Sequence, residues 1–179
     1  YVAFVKQKTD KPVVCVGRFT SPDTMVSQIE RGITDMIGAA RPSIADPFIP
    51  NKIEEGRNED IRECIGCNIC VSAENTSSLF RCSQNPTAGE EWRRGWHPEK
   101  IAKKGSDNGV LIVGAGPAGL ECARALGRRG YDVHLVDARD EVGGRVNFES
   151  SLPGLSEWSR IRDYRKGQID KMKNVEIHT

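Results

Sequence analysis

The sequence predicts an α/β protein in two parts with a cysteine-rich loop between them, and three observations lead to that prediction. Short apolar runs of strand length, at residues 12–17, 35–40 and 110–113, alternate with segments of helical spacing. Four of the six cysteines fall between residues 64 and 82. A glycine-rich turn at residues 114–119 directly follows the third apolar run. Parallel βαβ units before and after the cysteines account for this order.

The composition is that of a globular protein. The chain has 179 residues, of which 37% are hydrophobic and 28% charged, which is enough apolar material for a core or two. Lys and Arg are interleaved with Asp and Glu at a formal net charge of +1, so no nucleic acid partner is expected. No apolar run approaches membrane-spanning length, so no membrane partner is expected either. Six cysteines without an export signal favour a reducing compartment and predict a cytoplasmic location.

Both ends of the sequence look incomplete. There is no initiator Met, and residues 1–8 have the pattern of the end of a helix. Residues 175–178 have the pattern of a strand that has just begun. We therefore expect the chain to be a piece of a longer protein.

The first βαβ unit is predicted from two apolar runs. Residues 12–17 and 35–40 are short and continuous, which is the pattern of strands buried on both faces. Residues 25–32 between them have helical spacing, with Ser21 or Asp23 available as the cap.

Each of these two strands ends in a small residue followed by an arginine. The pairs are Gly17-Arg18 and Ala40-Arg41. In a (β/α)8 barrel the loops after strands seven and eight commonly bind a phosphate through backbone N–H groups, and an arginine adds a charge-assisted hydrogen bond. Ordinary surface arginines at strand ends would also explain the pairs. The generic fold argument alone favours that second interpretation.

Four further segments are connections. Residues 42–50 are predicted to be irregular, and residues 52–61 a polar helix that leads to the cysteines. Residues 90–98 combine aromatic and charged side chains and are interpreted as a packed connection with salt bridges, in which His97 is a structural hydrogen-bonding residue. Residues 103–108 are a polar linker and the predicted domain boundary.

The central motif is a run of three cysteines followed by a fourth. Cys64, Cys67 and Cys70 are spaced by two residues, Gly66 allows a sharp turn between them, and Cys82 follows a short polar loop. This is a ligand pattern for a [4Fe-4S] cluster, whose irons each take one thiolate. A structural zinc site usually takes two separated cysteine pairs and suits the run less well. Disulfides are the least favoured alternative, because no secretory segment is visible.

The other two cysteines are predicted to be packing residues. Cys15 lies within the first apolar run, and Cys122 lies within a predicted helix. We therefore predict that Cys82, and neither of these two, is the fourth ligand.

The glycine-rich turn is flanked by the strands and the helix that a nucleotide-binding motif requires. The strand at residues 110–113 leads into the GxGxxG pattern at residues 114–119, and a helix at residues 120–129 follows it. A second strand at residues 132–136 ends in Asp137. This order of elements predicts a Rossmann-like site for an adenine dinucleotide or ADP.

The residues of the turn have separate roles in that site. Gly114 makes the tight turn, Gly116 admits the pyrophosphate, and Gly119 allows close packing of the helix, whose N-terminus attracts phosphate. Pro117 and Ala118 complete the predicted nucleotide-binding turn.

The second strand contributes the ribose side of the site. Asp137 stands where a carboxylate accepts a hydrogen bond from a ribose hydroxyl, which argues against a nucleotide with a 2′-phosphate. Arg139 lies nearby and could bind such a phosphate, so NADP remains an alternative. Ala138 belongs to the same predicted set, as do Gly144 and Arg145, in a turn close enough to cover the nucleotide.

The order of these parts resembles the iron–sulfur flavoprotein amine dehydrogenases (trimethylamine, dimethylamine and histamine dehydrogenases) of the old yellow enzyme superfamily. In that resemblance the fold is the end of an FMN-binding (β/α)8 barrel, a [4Fe-4S] cluster loop segment, and the start of a Rossmann-like nucleotide-binding domain. The corresponding domains are residues 1–62, 63–106 and 107–179. The resemblance rests on these residues: Gly17-Arg18, 40–48, the run from Cys64 to Cys70, Cys82, Asn85-Pro86, 89–98, 114–119 and 152–158.

The resemblance implies oxidation of a small amine at FMN, with electrons passing through the cluster to an electron-transferring flavoprotein. Gly17, Arg18, Ala40 and Arg41 would hold the FMN phosphate, the four cysteines the cluster, and the glycine-rich turn with Asp137 an ADP (or FAD). The full-length protein is expected to be a homodimer. The family's catalytic residues lie in the first six barrel units, so no catalytic residue is assigned in this chain.

Two other functions remain open at this point. An NAD(P)H-dependent 2,4-dienoyl-CoA/enoate reductase with FMN, FAD and [4Fe-4S] has the same order of parts and would carry a second nicotinamide-binding motif further along. A ferredoxin-like electron carrier or iron sensor is disfavoured by the two barrel-type strands, which a carrier does not need.

Overall fold

The computed structural model describes residues 2–179, with the side chain of Glu74 excepted. Tyr1, part of the predicted helix end, lies outside these residues. The chain forms two compact units, residues 1–89 and residues 90–179, and both are built from parallel strands and helices. The predicted α/β class is thus confirmed. Within the described residues, every helix is too short or too polar to cross a membrane.

The first unit contains one βαβ motif followed by short helices. A 3-10 helix at Val5–Lys8 comes before β1 and β2, which pair in parallel with Cys15 opposite Ile37. The elements are β1 (Val14–Val16), α1 (Pro22–Glu30), β2 (Met36–Gly38), α2 (Ala40–Ala45), α3 (Ile49–Glu54), a 3-10 helix (Asn58–Asp60) and α4 (Ile69–Asn75).

The βαβ motif is confirmed. Within the described residues β1 is buried on one face, and burial on both faces stays a prediction for the whole protein. Cys15 is buried, whereas Val14 is half exposed and Val16 is 73% exposed. A buried threonine joins the two strands: the hydroxyl of Thr34 accepts from the N–H of Cys15 at 3.0 Å and lies 2.8 Å from the carbonyl oxygen of Val13.

The segment between β2 and the cysteines is more ordered and less polar than predicted. Two helices, α2 and α3, occupy most of the stretch expected to be irregular. The expected polar helix over residues 52–61 is only the end of α3 and a 3-10 turn. Lys52 is 98% buried because its ammonium group forms an ion pair with buried Asp46, at 2.6 Å. A sequence pattern cannot distinguish such a lysine from a solvated one.

The second unit is a three-stranded parallel sheet with helices. Its strand order is β3-β4-β5, which follows the chain order. The elements are α5 (Glu91–Arg94), β3 (Val110–Val113), α6 (Pro117–Arg129), β4 (Val133–Val136), α7 (Arg145–Ser150), a 3-10 helix (Ser156–Ser159), α8 (Arg160–Asp170) and β5 (Val175–His178).

The helix α6 is well specified by its sequence. Pro117 occupies its first turn, where a missing N–H costs nothing, and Gly130 ends it with a φ of 93°. Its apolar side chains pack on one face of the sheet and form the core, which contains Ala115, Leu120, Ala123, Val133, Leu135, Val142, Ile169 and Val175. The side chains of β3 alternate, with Ile112 against this core and Leu111 and Val113 exposed on the other face of the sheet.

A shared carboxylate joins α6 to α8. Glu121 forms ion pairs with the buried guanidinium groups of Arg124, at 2.6 Å, and Arg165, at 2.9 Å. Because Arg165 lies on α8 and Glu121 on α6, this contact holds the two helices together over the core.

Residues 90–98 differ in part from their prediction. The salt bridges are confirmed, since Glu90 pairs with Arg93 at 2.6 Å and Arg94 at 2.8 Å. The predicted packing is not found in the described residues, because the side chain of Trp92 is 97% exposed. His97 accepts the backbone N–H groups of Glu99 and Lys100 at its Nδ1, each at 3.0 Å, in line with the structural role predicted for it.

Candidate metal centre and nucleotide-binding site

Local backbone geometry shapes the cysteine loop. Cys64 and Cys67 lie in an irregular segment, and Cys70 lies in the first turn of α4. Gly66 adopts a φ of 72° and Asn68 a φ of 58°, a left-handed conformation that these two residue types tolerate well. The chain therefore turns sharply on both sides of Cys67.

The fourth cysteine returns to this loop. Burial raises the pKa of the Cys82 thiol, and the neighbouring thiols of Cys67 and Cys64 raise it further, while the backbone N–H groups of Asn85 and Gln84 lower it. The Gln84 N–H lies 3.4 Å from the Cys82 Sγ, and the Ser83 hydroxyl lies 3.2 Å from the Cys67 Sγ. The segment that carries Cys82 therefore returns to the cysteine loop, and the role of Cys82 as the fourth ligand stays a prediction.

Two buried amides hold the returning segment in place. The side chain of Gln84 donates to the carbonyl oxygen of Glu63 at 3.1 Å, directly before Cys64. The side chain of Asn85 donates to the carbonyl oxygen of Ile44 at 3.0 Å. Both amides are almost completely buried, and neither was selected as a functional residue from the sequence. Because both contacts join residues that are distant in sequence, no local pattern predicts them.

A buried carboxylate positions the segment that enters the loop. Asp46 accepts from the Lys52 ammonium at 2.6 Å, from the Phe48 N–H at 3.0 Å and from the Arg62 N–H at 2.8 Å. Lys52 also donates to the carbonyl oxygen of Asp60 at 2.9 Å. These bonds satisfy both buried charges and fix residues 60–62, immediately ahead of Cys64.

The two arginines predicted at a phosphate site both contact the cysteine loop. Arg18 donates to the carbonyl oxygen of Cys64 at 3.0 Å, and its guanidinium lies against Gly66, where a Cβ would come within 3.3 Å of Nε. Arg41 donates to the side chain of Asn68 at 2.6 Å.

The arginines leave parallel strands at the same sheet edge. Gly17 and Arg18 follow β1, and its pairing continues from the Gly17 N–H to the Gly38 carbonyl at 3.3 Å. Ala40 and Arg41 do not form a loop as predicted, because they begin α2. The structure thus brings Arg18 and Arg41 together on the cysteine loop, and their role at a phosphate stays a prediction.

A zinc site and a [4Fe-4S] cluster require different distances between the sulfur atoms of the cysteines. Zn–S bonds of about 2.3 Å in a tetrahedral site would hold the sulfur atoms about 3.8 Å apart. Among residues 2–179, no three thiols have their sulfur atoms all within 4.8 Å of one another. A cubane cluster lies between its four thiolates and requires the wider spacing. The set of four thiols suits a [4Fe-4S] cluster, and the cluster itself stays a prediction.

The two remaining cysteines lie in other environments. Cys15 is buried in β1, as predicted. Cys122 is exposed on α6, so the prediction that it packs in the interior is wrong.

Close backbone packing defines the glycine-rich turn. Gly114 has a φ of 103°, and a Cβ at Gly119 would overlap the carbonyl oxygen of Gly114. Both positions therefore require glycine for the reasons predicted. Nothing lies within 4 Å of the place where a Cβ at Gly116 would stand, so the turn leaves open space there. Pro117 and Ala118 form the first turn of α6, the end of a helix at which backbone N–H groups lack acceptors within the helix.

The side chain of Asp137 folds onto the turn. Its Oδ2 accepts the Ala115 N–H at 2.7 Å, and its Oδ1 accepts the Arg139 N–H at 2.9 Å. These two bonds, with a smaller contribution from the Ala138 N–H, hold the pKa of the carboxyl below its ordinary value. Asp137 thus shapes the turn as well as standing at the predicted ribose position.

A second pair of glycines packs over the first turn. The Gly143 N–H donates to the Ala115 carbonyl at 2.7 Å, and a Cβ at Gly144 would come within 3.2 Å of the Gly116 Cα and 4.0 Å of the Arg139 guanidinium. The predicted closeness of Gly144 and Arg139 to the turn is confirmed. Arg145 instead pairs with Glu149 along α7, at 2.7 Å.

Two family models match the chain in the order that the motifs predict. Residues 1–60 match the NADH:flavin oxidoreductase / NADH oxidase family, and residues 112–162 match the NAD(P)-binding Rossmann-like domain. The chain thus resembles a flavin oxidoreductase in its first part and a Rossmann-like domain in its second.

Within that class, the chain resembles enzymes that oxidise amines. It is 60% identical to the dimethylamine dehydrogenase of Hyphomicrobium sp. (strain x), over 98% of this chain and 24% of that protein. The histamine dehydrogenase structure from Rhizobium sp. 4-9 has a TM-score of 0.96 at 60% identity, over 99% of this chain and 26% of that one. The structure of the 6-hydroxypseudooxynicotine amine oxidase from Pseudomonas geniculata N1 also has a TM-score of 0.96, at 58% identity. That match covers 99% of this chain and 27% of the other.

These findings confirm the resemblance to the iron–sulfur flavoprotein amine dehydrogenases. The chain spans about a quarter of the length of the curated relatives it matches.

Proposed function

We propose that the whole protein carrying this segment is an iron–sulfur flavoprotein amine dehydrogenase. The observation that carries the proposal is the return of Cys82 to the loop of Cys64 and Cys67, inside a segment 60% identical to dimethylamine dehydrogenase. The substrate would be a small amine of the dimethylamine, trimethylamine or histamine kind, undergoing oxidative dealkylation or deamination.

The cysteine loop would be the electron exit. Cys64, Cys67, Cys70 and Cys82 would hold a [4Fe-4S] cluster. Bound FMN would supply two-electron oxidation of the amine, and the bound cluster would supply one-electron transfer to an acceptor. The hydroxyl of Ser83 and the N–H of Gln84 point at two of the sulfur atoms and would favour the reduced cluster through hydrogen bonding.

The arginines at the strand ends would serve the flavin. Gly17 and Ala40 offer small residues at the ends of β1 and β2, and Arg18 and Arg41 offer guanidinium groups for the FMN phosphate. Because Arg18 already donates to the Cys64 carbonyl, the same side chain would hold the cysteine loop in a fixed position relative to the flavin phosphate.

The glycine-rich turn would hold the adenosine diphosphate of ADP (or FAD). The open space at Gly116 and the N-terminus of α6 suit a pyrophosphate, and Asp137 would accept from the ribose. An electron-transferring flavoprotein as acceptor, a homodimeric assembly and a cytoplasmic location complete the proposal.

The proposal is tested on the whole protein. Purified enzyme should contain four irons, four acid-labile sulfides, one FMN and ADP, and should reduce an artificial acceptor when a small amine is added. The assay without amine is the control. FAD in place of ADP, with NADPH as the effective electron donor, would contradict the proposal and support the enoate reductase.

A further inference from the structure

Three side chains that could bind a metal converge in the second unit, on the face of the sheet opposite its apolar core. His134 lies on β4, and Glu176 and His178 lie on β5. Each is half exposed or more, and their ligand atoms all lie within 4.8 Å of one another. None of the three is among the residues predicted to bind the cluster or the nucleotide.

The strand pairing holds these three residues in register. His134 stands opposite Glu176, and Val136 stands opposite His178 in the parallel β4–β5 ladder. Because side chains alternate along a strand, Glu176 and His178 share one face. The buried partners of the same strands, Val133, Leu135 and Val175, anchor the opposite face in the core. The backbone therefore orders the three ligands before any ion binds.

The distances between the ligand atoms match those of a tetrahedral zinc site. The His134 Nδ1 lies 3.1 Å from the His178 Nε2 and 3.5 Å from the Glu176 Oε2, and the His178 Nε2 lies 3.6 Å from that same oxygen. Zn–N and Zn–O bonds of about 2.0–2.2 Å would place tetrahedral ligand atoms about 3.3–3.6 Å apart. The imidazole rings stack with centroids 5.4 Å apart and an angle of 24° between their planes, so one nitrogen atom of each ring lies beside the other.

We propose that His134, Glu176 and His178 form a second metal site, for a divalent ion of the zinc class. Two imidazoles and one carboxylate select zinc, copper or nickel over magnesium and calcium, which prefer oxygen ligands. Three protein ligands leave the fourth position to water. A plain hydrogen bond between the two rings would also explain the 3.1 Å distance, but it needs no carboxylate equidistant from both nitrogen atoms.

Zinc binding by the whole protein tests this site. Equilibrium dialysis against Zn²⁺, with zinc and iron counted in the same sample, should find one more zinc in the wild type than in His134→Thr/His178→Thr. Threonine keeps the strand propensity, so the sheet should survive. His97→Asn, which changes the remaining histidine of the chain, should keep that zinc. Equal zinc in the double variant and the wild type would overturn the proposal.

A second variant tests the carboxylate without removing an imidazole. Glu176→Gln should weaken zinc binding at least about tenfold, since even an outer hydrogen-bonding partner of a metal site is worth that much. Glu157→Gln, on a surface helical turn, should leave binding unchanged. Unaltered affinity in Glu176→Gln, or displacement of the zinc by millimolar Mg²⁺, would show that the three residues are not a zinc-class site.

Discussion

The two candidate sites are built by different means. Of the nine buried polar or charged residues in the described part of the chain, seven lie in residues 1–89 and two in residues 90–179. The cysteine loop is held by side chains that reach it from distant positions, such as Asp46, Gln84 and Arg18. The glycine-rich turn is held mainly by its own backbone and by the apolar core beneath α6, with one added side-chain contact from Asp137.

This difference predicts how each site should fail. A buried polar contact is costly to break, because the group left behind loses both its partner and its water. A backbone turn tolerates most side-chain changes nearby, but it fails when a glycine gains a Cβ. Mutations can therefore separate a site held by side chains from one held by backbone geometry.

Loss of Cys82 should have the largest effect. Cys82→Ala in the whole protein leaves three ligands for four irons, so the intact cluster should be lost. Iron and acid-labile sulfide in the purified protein measure this, and reduction of the flavin by amine should persist.

Cys15→Ala and Cys122→Ala are the matched controls, since one removes a buried thiol and the other an exposed one. Four irons in the Cys82 variant, or loss of the cluster in either control, would remove Cys82 from the ligand set.

Loss of Asp46 should come next. Asp46→Ala leaves the Lys52 ammonium buried without its carboxylate and removes the acceptor for two backbone N–H groups. Breaking one partner of a buried pair costs about 3–5 kcal/mol in the free energy of unfolding. Denaturation followed by the release of cluster iron measures it.

Asp163→Ala, which removes an exposed carboxylate paired with Arg162, is the control and should cost less than about 1 kcal/mol. Equal costs in the two variants would mean that the cysteine segment does not depend on its buried ion pair.

The two glycines of the turn should respond differently. Gly119→Ala places a Cβ on the Gly114 carbonyl, so overpacking should destabilise the protein by about 1–3 kcal/mol and loosen the turn. Gly116→Ala meets open space, so thermal stability should hold while nucleotide content falls. Thermal denaturation and nucleotide analysis of both variants measure this. Equal stability losses would show that the turn does not depend on that close approach.

Asp137 should matter for binding more than for folding. Asp137→Ala should weaken adenosine nucleotide binding by roughly 1–3 kcal/mol, the usual cost of a lost charge-assisted hydrogen bond. Nucleotide retention after gel filtration measures it, and Asp140→Ala is a nearby acidic control.

The pKa of Asp137 also predicts a pH effect. Because the folded protein holds this pKa below its ordinary value, the stabilising contribution is present above the ordinary value and disappears as the pH falls through the lowered one. The Asp137→Asn variant should lose less stability than the wild type over that acid range. Identical acid profiles would contradict a bound carboxylate at the turn.

The smallest expected effect concerns the cluster's potential. Ser83→Ala removes a hydroxyl beside the Cys67 sulfur and should lower the reduction potential on the order of tens of millivolts, since hydrogen bonds to sulfur favour the reduced cluster. Ser78→Ala is the control, because its hydroxyl contacts Thr76 and the Ala73 carbonyl instead. Redox titration of both variants at full iron content measures it, and equal potentials would contradict the role of Ser83.

The βαβ order, the cysteine loop and the glycine-rich turn could all be predicted from the amino-acid sequence. These features are local: each glycine requirement and each strand or helix period is expressed within a few neighbouring residues. For the same reason the end of the helix at Arg129 was predictable, although α6 begins at Pro117, three residues before the predicted start, and Asp137 could be assigned from its place after β4.

The side chains that hold the cysteine loop, and the contact between two histidines of the sheet, became visible in the three-dimensional structure alone. Burial of Lys52 beside Asp46, the reach of Arg18 to Cys64 and the anchoring by Gln84 depend on chain segments that are distant in sequence. The meeting of His134 with His178 depends on the register of β4 and β5. A polar side chain has the same local pattern whether it is solvated or buried, and only the fold supplies the partner that makes burial possible.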